Sequence, residues 1–341
     1  MNTRFVVLVS AVAVVSSALV ACGDDDDGSA AATDDGAWTF VDDRGTEITL
    51  DAPPARIVAY ENAAGALIPL GVTPVGVFGS SEPAQSPQLA GLDVSDVASV
   101  GSVYGEVNFE AVAELEPDLI VTLYDPEQTG PVFGFLDNGE ELAEEIAPVL
   151  VIDGGSKADA EPTIERFVEL TESMSGDLDE TAIDASRQRF DDAVARLRAA
   201  VEANPGVDVV AMAPYAGDLV YFARPQNFAS LRLFRDAGVE LVDPEGEPGD
   251  QATDFVQYFY DAVSFEFADK YPADLYLLGN NVGVMTADDV AADAAFAQLP
   301  AVEADEFVEW RMIDAYSYDR FASDVETLTA AIGAADADLA P

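Results

Sequence analysis

Histidine is absent from this chain of 341 residues, cysteine occurs once, and 15 Lys and Arg stand against 65 Asp and Glu. Without His the usual zinc, haem and triad chemistries lose their commonest ligand or base. The lone Cys22 excludes an internal disulfide. Any metal must therefore be held by oxygen ligands or arrive already chelated. The formal net charge of -50 repels phosphate backbones and anionic headgroups, which excludes nucleic acid as a partner. No GxSxG elbow, HExxH helix or GxxxxGK phosphate loop is present. A secreted hydrolase working with paired carboxylates stays as the enzyme alternative, but acids are so abundant that finding a pair means little. What the chain does have is 49% hydrophobic and 9% aromatic residues, the makeup of a folded protein with an acidic surface. Its length suits roughly two domains of about 150 residues.

Residues 1 to 21 carry Arg4, an apolar run from Phe5 to Val15 and then "SSALVAC", a signal-peptide pattern too short for a lasting transmembrane helix. "LVAC", Leu19 to Cys22, resembles the bacterial lipobox, in which cleavage exposes a Cys whose thiol carries diacylglycerol. The lone cysteine falls at the position this pattern needs. Residues 22 to 37, acidic and small, read as a flexible tether.

From Trp38 the texture changes. "WTFVDDRGTEITL" alternates about a turn and predicts a β-hairpin. "RIVAY" reads as a buried strand, "NAAGALIPLG" as a short helix closed by Gly71, and "VTPVGVFG" as the next strand, so a parallel sheet is expected. "NFEAVAELEP" spaces Phe109, Val112 and Leu115 as a helical face stopped by Pro117, and "DLIVTLY" comes next as a strand. A helix at "GEELAEEIA" and a strand at "VLVI" complete an N-terminal α/β lobe over 38–160. Residues 161–203 are helical throughout, broken at Ser175 to Asp177. Asp179 to Ala203, with Ile183, Phe190, Val194, Leu197 and Val201 on one face, would span roughly 37 Å as a connecting strut. After "NPG" the rhythm restarts over 204–341 with "VDVVAMAP", the helix "FASLRLFRDAG" and the strand "VELVD". "VSFEFADKYPADLY", Val263 to Tyr276, then echoes "VNFEAVAELEPDLI", Val107 to Ile120: each has Glu, with Asp and Leu eight and nine residues further on. The echo predicts two similar lobes, with the second copy also a helix leading to a strand.

"RIVAYENAAGALIPLGVTPVGV", "VGSVYGEVNFEAVAELEPDLIV", "LFRDAGVELV" and "LPAVEADEFVEW" together resemble the extracytoplasmic substrate-binding proteins of ABC importers for iron complexes, including siderophores and haem, and for cobalamin. The resemblance covers nearly the whole chain after Trp38. It implies an α/β fold of two Rossmann-like lobes joined by a single long backbone helix, with a ligand cleft between them. It implies a lipid-anchored monomer on the extracytoplasmic face of the cell membrane, with no catalytic residues. A pre-chelated ferric complex would be its ligand, and a membrane permease with a cytoplasmic ATPase its partner. On the motif matches it assigns Glu110 and Glu266 to docking, one carboxylate per lobe meeting Arg residues of the permease.

Ligands of such lobes lie beyond the carboxyl ends of the strands. That selects Tyr60, Glu61, Tyr104, Tyr124, Tyr215, Arg224, Trp310 and Arg311 as ligand-binding candidates, since aromatic faces and guanidinium groups suit an iron chelate. Arg is scarce outside the strut. That speaks against a highly anionic catecholate and leaves a neutral or cationic hydroxamate complex, haem or cobalamin open. A surface scaffold would leave the cleft empty and both Glu without purpose.

Overall fold

The computed structural model describes residues 36–127, 132–175, 178–215, 219–244, 254–312 and 314–340. The expected leader, Cys22 and all but the last two residues of the tether lie outside them. The chain opens on the expected hairpin, β1 (Trp38–Val41) paired antiparallel with β2 (Glu47–Leu50). The Asp42 carboxylate shapes its turn by accepting the N–H groups of Arg44 and Thr46 at 3.0 and 2.8 Å.

The N-lobe then builds β3 (Ile57–Tyr60), α1 (Glu61–Leu67), β4 (Gly76–Phe78), β5 (Ala98–Gly101), α2 (Phe109–Glu114), β6 (Leu119–Tyr124), α3 (Gly139–Glu144) and β7 (Val149–Asp153). The strands form a parallel sheet in the order β5-β4-β3-β6-β7. Helices on both faces explain why β3 is buried at every position. Two helices come next, α4 (Ala160–Ser175) and α5 (Glu180–Ala203), the second capped by Asp179, whose side chain accepts Ala182 N–H at 3.1 Å. The long strut is thus α5, with Phe190, Ala193, Val194 and Leu197 on its buried face.

The C-lobe carries β8 (Asp208–Tyr215), β9 (Leu219–Ala223), α6 (Ala229–Asp236), β10 (Glu240–Leu241), α7 (Asp254–Phe259), β11 (Tyr260–Ser264), β12 (Leu275–Gly279), α8 (Ala287–Ala292), α9 (Pro300–Glu303), β13 (Phe307–Trp310) and α10 (Tyr318–Ala334). Its sheet runs β11-β9-β8-β12-β13, with β10 alongside the first residues of β8. Three differences from expectation stand out. The strand at "VELVD" shrinks to two residues. The second copy of the repeated phrase begins inside β11 and makes only a 3₁₀ turn, Phe265–Phe267, where a helix was expected. Finally, β9 and β11 form an antiparallel extension, whereas the N-lobe sheet is parallel throughout its described strands.

The lobes share one continuous apolar core, running from Leu67 and Ile152 through Phe167, Phe190 and Leu197 to Leu231, Phe321 and Leu328. Separating the lobes would expose that surface to water, at about 25 cal/mol for each Å² of apolar area. The strut is therefore part of the core, and α10 packs along it.

Candidate functional site

The segments just beyond the strand carboxyl ends of the two lobes meet one another. Asn62, in the first turn of α1 just after β3, donates from Nδ2 to the Asp314 carbonyl at 2.7 Å. Tyr316 donates its hydroxyl to the Gly154 carbonyl, just after β7, at 3.2 Å. Gly65 faces this seam because a Cβ there would stand 3.0 Å from both Ala315 Cβ and the Gln88 carbonyl. Ser156 and Tyr258 join their hydroxyls at 3.0 Å, and Lys157 donates to Asn227 Oδ1 at 2.6 Å. Arg232 on α6 closes the floor, reaching the carbonyls of Ser156 at 2.6 Å and of Ala158, and the Asp159 carboxylate at 3.1 Å. These contacts make a polar seam between the two sets of strand ends.

The sequence-selected residues divide between the groove and its foundations. Tyr104 remains 41% exposed after β5, its hydroxyl beside the Gly134 backbone and its ionisation made harder by burial. Next to it Val103 and Leu136 are also exposed, so the N-lobe rim is apolar. Tyr215, at the end of β8, is half-buried and likewise held protonated by burial and by Tyr221.

The other candidates serve elsewhere. Tyr60 is 2% exposed, packed against Phe78 beneath Gly134, where a Cβ would come within 2.7 Å of its ring. Glu61 is 1% exposed; its carboxylate accepts Ser80 N–H at 2.9 Å and the Ser86 hydroxyl at 2.6 Å. It ties the β4 loop to α1, and a Cβ on Gly79 would stand only 2.5 Å from its carboxyl carbon. Tyr124 turns to the hairpin, donating to the Asp43 carbonyl at 2.7 Å. Arg224 binds the carbonyls of Pro244 at 2.6 Å and Gln257 at 3.2 Å, both within the C-lobe. Trp310 is core: 3% exposed, edge-on to Phe228, its Nε1 donating to Ser230 at 3.1 Å. Arg311 pairs with Asp324 at 2.8 Å, and its Nε and Nη1 are buried without a partner. Strand-end position alone does not say which way a side chain leaves the strand, and alternation sends every second one into a core.

Residues that sequence reasoning missed line the C-lobe wall. Tyr215 meets Tyr221 edge to face at 5.2 Å, Tyr221 meets Tyr260 in the same way at 5.7 Å, and Phe228 stands 5.4 Å from Tyr260. The ladder arises because β9 folds back on β8 and β11 on β9, setting one tyrosine from each strand side by side. Its signal was the alternation of "LVYFA", whose tyrosine falls on the face opposite Val220 and Phe222. Leu219 and Val282 stay exposed near its upper end.

Two concavities lie away from these strand ends. One of about 450 Å³ sits by the hairpin and the start of β7, lined by Arg44, Ile48 and Glu144; the other, about 230 Å³, lies between α4 and α5 beside Glu172 and Arg187. Among the described residues no group of three or more Cys, Asp or Glu side chains is set to hold a metal ion. No described helix is long and apolar enough to cross a membrane.

Residues 57–312, which take in most of both lobes and the helical connector, match a family model described as periplasmic binding protein. The chain belongs to the periplasmic binding protein family. It is a solute-binding protein and not an enzyme. Among solved structures this periplasmic binding protein is similar to DesE, a ferric-siderophore receptor protein from Streptomyces coelicolor. They share 30% identity and a TM-score of 0.80, over 89% of this chain and 100% of that one. SirA from Staphylococcus aureus, solved with staphyloferrin B, shares the fold at 17% identity and TM-score 0.58, over 88% of this chain and 99% of its own. The petrobactin-binding protein YclQ from Bacillus subtilis does so at 16% identity and TM-score 0.61, over 87% and 98%. No curated protein matches the chain.

Proposed function

We propose that this periplasmic binding protein captures a ferric siderophore-type complex in the groove between its lobes and hands it to an ABC permease driven by a cytoplasmic ATPase. The observation that carries the reading is the likeness to DesE, described as a ferric-siderophore receptor, over nearly the full length of both chains. The chemistry agrees with it. A chain without His is suited to an iron that arrives already chelated. Tyr104 on one wall and Tyr215 on the other offer flat apolar faces with hydroxyl edges to the chelate's carbon frame and oxygens.

In this reading the chain is held at the extracytoplasmic face by acylation of Cys22, with the acidic residues after it as a tether. Glu110 and Glu266 are exposed, one in each lobe, and free to dock on permease arginines. The test is a titration of the full chain in detergent with ferric siderophores, haem and cobalamin, monitored by calorimetry. Saturable binding of a ferric siderophore is expected. Binding of haem or cobalamin alone would overturn the reading.

A further inference from the structure

We infer that the groove selects its ligand by charge, accepting ferric chelates that are neutral or positive overall and rejecting anionic ones, with the Tyr215, Tyr221 and Tyr260 ladder as the selecting wall. This rests on the reading of the groove as a ferric-chelate site and sharpens it.

The chain is so poor in cations that each can be traced. Of its 15 Lys and Arg only Arg4 falls in the leader, and every other one lies among the described residues. Arg44 and Arg166 serve the hairpin, paired with Asp42 and Asp43. Arg56 binds the Leu115 carbonyl at the start of β3. Arg187, Arg189, Arg196 and Arg198 belong to the strut. Arg235 and Lys270 pair with Asp243 and Asp261.

Five remain near the seam or the C-lobe strand ends, and each is committed. Lys157, the exposed one of the five, donates to the Asn227 side chain and the Gln226 carbonyl and lies 5.7 Å over the Tyr258 ring. Arg232 is spent on Ser156, Ala158 and Asp159, and Arg224 on Pro244 and Gln257. Arg320 donates to the Ala90 carbonyl. Arg311 pairs with Asp324, and its two unpartnered nitrogens are sealed from solvent. To gain a close guanidinium partner an anionic chelate would have to draw Arg232 or Arg320 from contacts between the lobes, or Arg224 or Arg311 from contacts within the C-lobe.

The walls offer it none. The ladder presents ring faces and hydroxyls, and burial keeps Tyr215 and Tyr260 protonated. Exposed Glu82, Glu106 and Glu127 come after β4, β5 and β6 on the N-lobe side. They add a negative field that attracts cations and repels anions. Aromatic faces also attract a cation directly.

The test compares three ferric complexes of one linear trihydroxamate whose iron centre is unchanged. A free terminal amine makes the complex singly positive, N-acetylation neutral, and N-succinylation singly negative. A ferric tris-catecholate, triply negative, is the fourth probe. Titrated calorimetrically into the full chain in detergent, the amine and acetyl forms should bind with similar affinity, and the succinyl form about tenfold or more weaker. The tris-catecholate should not bind. Tyr221→Ala should weaken the acetyl form about tenfold. Tyr215→Lys should narrow the gap between acetyl and succinyl forms, a reversal that a merely destabilised wall would not give. Equal affinity for all probes, or preference for an anionic one, overturns the charge selection and leaves the function standing. Failure of every ferric complex to bind overturns both.

Discussion

The same phrase takes two shapes in the two lobes. In the N-lobe, Asn108 caps a helix by accepting Ala111 N–H at 3.1 Å, and Glu110 sits in its first turn. In the C-lobe the residue matching Asn108 is Ser264, the last of β11, and it leads into a single uncapped 3₁₀ turn. Yet the Asp at the end of each phrase does the same work. Asp118, before β6, accepts the N–H groups of Ala55 and Arg56 at 2.9 and 2.8 Å, at the start of the neighbouring central strand β3. Asp274, before β12, accepts Asp208 N–H at 2.8 Å at the start of β8, the corresponding neighbour. The repeat therefore preserves a clamp that starts a parallel pair, and lets the helix go. The two Glu share one more feature: each comes after an edge strand of its sheet, β5 in one lobe and β11 in the other.

The largest effect expected from breaking this correspondence is on transport. Replacing both Glu110 and Glu266 by Ala should abolish uptake of the ferric ligand by cells while its affinity for the purified protein is unchanged. Normal uptake by the double variant would end the docking proposal. The single variants then rank the two feet, and an inert Glu266→Ala would show that the uncapped turn no longer serves as one.

Next in size are the clamps. Asp274 is 1% exposed and also accepts the N–H groups of Leu339 and Ala340 at 3.0 and 2.7 Å, whereas Asp118 is exposed. Hydrogen bonds to a charged group are worth more when water cannot replace the lost partner. Asp274→Ala should cost about 3 kcal/mol of unfolding free energy and Asp118→Ala about 1 kcal/mol, read from urea denaturation. Equal losses would mean that burial does not separate the two clamps.

Much of this was legible in the sequence, where patterning was periodic and local. The hairpin, β3 with α1, the helix ahead of β6 and the strut arise from alternation, caps and Gly or Pro stops. The helix expected at "VSFEFADKYP" failed because the run "YDAVS", which takes in the first two residues of that phrase, pairs with β9, a long-range contact that overrides a short helical pattern. Helix α10 went unread although Phe321, Val325, Leu328 and Ile332 carry the period of one buried face. In the site, position beyond a strand was readable and direction was not. Trp310 and Tyr60 went inward for that reason, while Tyr221 and Tyr260 needed the antiparallel extension before they could meet.

A last effect, smaller than the Asp274 loss, lies at the seam, where the N-lobe amide of Asn62 donates to the backbone carbonyl of Asp314 while the Asp314 carboxyl turns to Ser230 N–H at 3.4 Å in its own lobe. Burial pushes Asp314 up from the ordinary 3.8 to about 7, opposed by Ser230 and Arg232 and aided by the nearby Asp324. Between those two values the folded chain holds a proton that the unfolded chain has released, so this group's contribution to stability falls as pH rises toward neutrality. Across pH 6 to 8 the carboxyl goes from mostly protonated to mostly ionised in the fold, which removes roughly 1.4 kcal/mol. Asp314→Asn keeps the shape and cannot ionise. Its stability relative to the parent should therefore improve by about that amount between pH 6 and pH 8 in paired urea titrations. Parallel pH profiles for parent and variant would show that the Asp314 charge is already balanced in the fold by Ser230 and Arg232.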